Sequence, residues 1–304
     1  MDISFLFEGG SLLTQKKKKI TFYSVCATLV LAAMLLLTLA GYGIVSAIIQ
    51  SSQANSGKLN IGLTKTLTIP QSDIYSGDLL LLDATHPLHK TTSVTLMSVE
   101  RPKTDTGSSI YSVRNTASLS LRADVLKQFN AMMEDFYKQT KDDNLLVYDA
   151  YDSSKSSQAA IYESGASLSL GYYTPLNNGE YARNESIYGV EVYNWIYDNC
   201  HKYGFTLLES EAEIDDDGEY IGSNVFRYVG IPHATAMAER KLSFEDYLSY
   251  LKENTSAAKP LGIMTYAIYY LGAQDSHVVP EKYEYSVSGN NADGFIITVD
   301  LSKS

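Results

Sequence analysis

Residues 20–50 contain no charged side chain, and residues 25–40 (VCATLVLAAMLLLTLA) are almost pure hydrocarbon. A helix rises about 1.5 Å per residue, so this run exceeds the roughly 30 Å apolar core of a bilayer and can span it with some tilt. Four lysines, Lys16 to Lys19, stand directly before it, and no basic residue follows until Lys58. That asymmetry predicts a cytoplasmic tail over residues 1–19, one transmembrane helix over 20–50 and an extracellular remainder. A cleaved signal peptide is the alternative, with Ser52-Gln53-Ala54 where cleavage would fall. The apolar region of such a signal is about 7 to 15 residues, shorter than this one. The expected location is therefore the cell membrane, single pass, touching lipid through residues 20–50.

The chain carries 35 Asp and Glu against 24 Lys and Arg, a formal net charge of −11, and the lysine run lies outside the outer part. An acidic domain is repelled by a phosphate backbone, so nucleic acid is excluded as an expected partner. Cys26 and Cys200 cannot make a disulfide framework, which leaves the hydrophobic core to hold the outer domain together.

Residues 51–72 read as a linker, polar at first, with the fold beginning near Ile69. Residues 78–83 (DLLLLD) have the length of a buried strand, and His86-Pro87 marks a turn. Leu121, Val125, Leu126, Phe129, Met132, Met133, Phe136 and Tyr137 recur at helical spacing, which predicts a core-facing helix. Residues 145–148 read as a strand and 153–157 as a solvated loop. Val192, Trp195, Ile196 and Cys200 form a second helical stripe that Gly204 stops, and residues 205–208 form a strand. Ser243 to Asp246 is a capping signature for a third helix. Residues 283–287 and 295–299 alternate in polarity around a Gly- and Asn-rich loop, a hairpin signal. Together these elements imply an α+β domain with a mainly antiparallel sheet.

The segment FRYVGIPHATAM (226–237), followed by LSFEDYL (242–248), resembles the C-terminal signature of VanY-type D-alanyl-D-alanine carboxypeptidases, zinc peptidases that act on peptidoglycan stem peptides. Similarity extends through residues 73–87, 162–170 and 195–205. The resemblance implies a D-alanyl-D-alanine carboxypeptidase-like domain over 73–258, with residues 259–304 as a C-terminal β-hairpin extension.

The family's first motif, S-x-H-x-x-G-x-A-x-D, supplies a His and an Asp to zinc. Aligned on Gly165, it puts Tyr162 and Ser169 at those positions. Its second motif, E-x-W-H-x-R-Y-V-G, supplies the general base and the third ligand. Anchored on Arg227 and Tyr228, it puts Gly222 at the Glu, Asn224 at the Trp and Val225 at the His. A third element, G-Y-R-S, carries an arginine for the substrate carboxylate, and its best match puts Asp152 there. Catalytic zinc needs about three His, Asp, Glu or Cys donors, and these positions supply none. The expectation is a pseudoenzyme without zinc or another cofactor.

Such a protein would bind a stem peptide, or a cell-wall or division protein, through a remnant cleft at Asp152, Tyr162, Ser169, Asn224, Arg227 and Tyr228. One rival is an active peptidase with displaced ligands. Another is a scaffold with no ligand cleft. His86 and His89 read as loop residues, His233 as structural, residues 215–219 as a solvated acidic turn. Tyr172, Tyr173, Tyr181 and Tyr188 are candidates for stacking on sugar or peptide.

Overall fold

The computed structural model describes residues 61–83, 85–89, 95–104, 107–116, 118–208, 224–273 and 277–303. The expected tail and membrane helix lie outside them, as do Gly222 and the acidic turn. Among the described residues no helix is long and apolar enough to cross a membrane.

The elements run β1 (Leu63–Leu67), a 3-10 turn (Gln71–Tyr75), β2 (Leu96–Ser98), β3 (Ser112–Val113), β4 (Leu119–Arg122), α1 (Ala123–Thr140), β5 (Leu145–Asp149), β6 (Tyr151–Asp152) and α2 (Ala160–Glu163). There follow β7 (Ser167–Pro175), β8 (Tyr181–Asn184), α3 (Asn194–Asn199) between two 3-10 turns, β9 (Phe205–Leu207), β10 (Val225–Tyr228), α4 (Ile231–Arg240) and α5 (Phe244–Asn254). The chain closes with β11 (Leu261–Ile263), β12 (Tyr266–Gly272), β13 (His277–Pro280), β14 (Glu284–Gly289) and β15 (Gly294–Asp300).

The central sheet has the order β3-β5-β7-β10-β9, with β8 on the far half of β7. Its pairs are antiparallel except β3 with β5. The helical stripe read from the sequence buries Val125, Leu126, Phe129, Met132, Met133 and Phe136 on α1. They pack against Leu145, Val147, Leu168, Leu170, Phe205 and Phe226 on one face of this sheet. Each such side chain contributes about 1.5 to 3 kcal/mol by leaving water. Period-2 strands thereby turn their alternate residues to the opposite face, where the site lies.

A second sheet, β11-β12-β15-β14, carries α4 and α5 on one side through Ala234, Met237, Phe244, Tyr247 and Leu251 against Leu261, Ile268 and Ile296. Ser243 caps α5 by accepting the Asp246 N–H at 3.1 Å, as the sequence suggests. The expected hairpin is β14–β15, but it is no appendage: β15 is buried along its whole length. Its other face, with Tyr269, Phe295, Ile297 and Val299, packs on Ile61, Ile69 and Ile74. Ile61, Ile69 and β1, which pairs with β13, fall in the stretch 51–72 read as linker, so the ordered domain begins by Ile61. Two apolar faces on one sheet require a cover on both sides, and the N-terminal segment supplies the second.

The expected strand at 78–83 is not one. Its run of leucines is extended, but the Leu79 N–H donates to Ser288 Oγ and the Leu81 N–H to the Asn290 carbonyl. Asn291, held at φ +61°, donates from Nδ2 to the carbonyls of Leu81, His86 and Pro87. The β14–β15 turn thus clamps this stretch in place.

Candidate functional site

Strands β7 and β10 pair Ser167 with Arg227, Leu168 with Phe226 and Ser169 with Val225. Directly opposed residues share a face. Leu168 and Phe226 enter the core, so Ser167, Ser169, Val225 and Arg227 face the other way. On the neighbouring strand Asp149 stands opposite Ser169. Gly165, at φ +66°, turns the chain from α2 into β7; a Cβ there would meet Leu96 at 2.5 Å. The turn brings Tyr162 into hydrogen-bonding contact with Ser169. Burial raises the Tyr162 phenol above its usual range, with Ser169 opposing and Asp149 adding to the effect.

Three of the four aligned positions therefore converge, and Gly222 is outside the described residues. Their chemistry does not fit zinc. Val225 has no lone pair to offer, and Tyr162 and Ser169 present neutral hydroxyls. No group of three His, Cys, Asp or Glu suited to a metal occurs among the described residues.

The remaining expected ligand contacts divide. Asn224 donates from Nδ2 to the carbonyls of Leu170, at 3.0 Å, and Glu185, at 2.6 Å, tying strand ends together. Tyr228 lies on the core face with its ring 5.5 Å from that of Phe205. Asp152 is 4% exposed and turned into its own loop, accepting from the Ser154 hydroxyl at 2.6 Å and the Ser154 N–H at 2.9 Å. Those bonds hold its carboxyl below the usual range. Of the six residues expected to line a cleft, only Tyr162, Ser169 and Arg227 belong to the site face.

A cavity of about 690 Å³ opens beside them. Glu163 and Ser164, next to Tyr162, form part of its wall, with Ala166 and Arg227 from the ends of β7 and β10. Asp78, Leu80 and Leu82 come from the clamped stretch, Tyr75 from the 3-10 turn before it and His89 from the segment after it, Arg122 from the end of β4, and Lys155 and Gln158 from the loop after β6. Arg122 bridges Asp78 and Asp124, and Lys155 reaches Asp149 at 2.9 Å. None of these walls was foreseen except Arg227. Arg122 stands where a helix begins and Lys155 in a serine-rich loop, positions that carry no chemical motif.

The histidines are apart. His86 contacts Asp83 at 2.9 Å, while His89 stacks on Tyr75 with centroids 4.0 Å apart. His233 is fully enclosed, its Nδ1 2.9 Å from the Tyr247 hydroxyl and its Nε2 2.8 Å from Thr298 Oγ1. Among the tyrosines, Tyr172 packs on Tyr193 in the core region, while Tyr173 meets Tyr181 edge-on at the β7–β8 hairpin.

No protein-family model matches the chain. It is 27% identical over 250 residues to a D-alanyl-D-alanine carboxypeptidase of Enterococcus faecium, covering 78% of this chain and 79% of that protein. Among solved structures it is similar to the vancomycin-resistance D,D-dipeptidase VanXYg in complex with a D-Ala-D-Ala phosphinate analog. The TM-score is 0.59 at 20% identity, over 78% of this chain and 99% of the other, which is a likeness of fold. The sheet carrying the Gly165 and Arg227 motifs and the similarity across most of the chain lead to one conclusion: in sequence and in fold the chain is similar to the VanY-type D-alanyl-D-alanine carboxypeptidases.

Proposed function

We propose that this is a membrane-anchored, extracytoplasmic protein that binds peptidoglycan stem peptides and does not hydrolyse them. The observation that carries the reading is the pair Val225–Ser169 with Tyr162 against it: the β7–β10 pairing and the Gly165 turn bring these positions together, and neither the Val225 hydrocarbon nor the two neutral hydroxyls suit a zinc ion. Without a metal or a base, no water is activated for attack on an amide. The adjoining cavity, with polar Gln158 and Ser164 and apolar Leu80 and Leu82, suits a short peptide. The relative from Enterococcus faecium acts on D-alanyl-D-alanine by its name, and VanXYg was solved with an analog of that dipeptide. The lysine asymmetry and apolar run at residues 16–50 support the anchor and the outward orientation.

The test uses the purified full-length protein. Less than one zinc per ten chains, no D-alanine released from a stem pentapeptide, and saturable binding of that pentapeptide are expected. Zinc-dependent release that persists after removal of contaminating peptidases overturns the reading in favour of an active peptidase.

A further inference from the structure

Arg227 is 2% exposed, lines the cavity, and no carboxylate among the described residues pairs with it. Its Nη2 donates to the carbonyls of Leu80, at 2.6 Å, and Asp78, at 3.3 Å. Its Nε has no partner. Phe244 lies 4.5 Å below the guanidinium. Directly across the strand pair, fully buried Ser167 also has an Oγ without a partner. A buried cation that meets only carbonyl dipoles and a ring is under-compensated, because leaving water costs it several kcal/mol. The other cations at the cavity differ: Arg122 holds two carboxylates and Lys155 holds one.

We infer that the cavity takes a ligand bearing a carboxylate, and that this carboxylate is drawn to Arg227. This rests on the stem-peptide reading above and specifies the chemistry of that site. The alignment leaves the chain without the family's carboxylate-binding arginine, since Asp152 stands in its place and is closed into its own turn. Arg227 supplies a charge of the right sign from a different strand, in the cavity that Ala166 and Ser164 also line. The apolar body of the ligand then lies along Leu80, Leu82 and Tyr75. A fork-shaped guanidinium with a free Nε and a neighbouring serine hydroxyl matches a carboxylate's two oxygens.

The experiment compares N-acetyl-D-alanyl-D-alanine, its C-terminal amide and acetate, each titrated into the full-length protein by calorimetry and by NMR of the arginine Nε–H signals. The Arg227 signal is recognised by its through-space contact with the Phe244 ring. The acid should bind at least tenfold tighter than the amide and shift the Arg227 Nε–H signal, and Arg227→Lys should cut the acid's advantage below threefold. Equal affinity of acid and amide, or an unmoved Arg227 signal at saturating acid, overturns the inference while leaving stem-peptide binding intact. A shift with acetate but no binding of either dipeptide keeps the carboxylate site and removes the peptide reading. Should Arg227→Lys fail to fold, the wild-type signal alone decides.

Discussion

On the proposed reading, Val225 puts a branched hydrocarbon where the family's second motif has a nitrogen donor, and it faces Ser169 across the β7–β10 strand pair. The loss so proposed is one of side-chain chemistry on a retained backbone. The Tyr162 phenol is neutral at physiological pH, as phenols ordinarily are, and burial raises its pKa further; a neutral phenol is a poor zinc ligand. Returning the donors by Tyr162→His, Ser169→Asp and Val225→His, with Gly222→Glu as base, should give close to one zinc per chain by metal analysis after dialysis. A folded quadruple variant that holds none would show that the spacing of β7, β10 and α2 has changed along with the residues. Peptide turnover is expected to stay absent, because Asp152 remains closed on Ser154, and a carboxylate held at Arg227 instead of at that position would not orient the peptide's amide toward the restored metal.

At the scale of elements, His233 ties α4 to α5 through Tyr247 and to β15 through Thr298. Full enclosure lowers its pKa to about 3 from the ordinary 6.5. The folded state thus binds this proton later than the unfolded chain does. Its contribution is complete above about pH 6.5 and is lost as pH falls from there toward 3, at up to about 1.4 kcal/mol per pH unit. Thermal melts from pH 7 to 4 should show a shallower acid slope for His233→Gln than for the wild type, from a lower stability at pH 7. Parallel curves would remove His233 from the acid response. The sequence marks this histidine as structural, but Thr298 lies 65 residues away and no local pattern reveals that partner.

For the whole molecule, the proposed topology predicts that a reporter active only outside the membrane works when fused after Ser304 and fails when fused before Met1; the reverse pattern would overturn it. What was legible at this scale follows from range. The α1 stripe, the Gly204 stop, the Ser243 cap and the β14–β15 hairpin are local patterns, and each is present in the structure. β1 reads as polar linker because its partner β13 lies more than 200 residues on, and residues 78–83 read as a strand because their leucines conceal hydrogen bonds made to Ser288 and Asn290. Motif spacing placed Tyr162, Ser169 and Val225, whereas the cavity is assembled from five distant segments and has no signature. The pairing of β1 with β13, and the seating of Ile61 and Ile74 on β15, also set a schedule. A ribosome delivers residues 61–75 long before residues 277–300, so the first-made part of this domain has no surface to fold against until synthesis is nearly over. Through most of translation that segment, with its isoleucines uncovered, is available to chaperones.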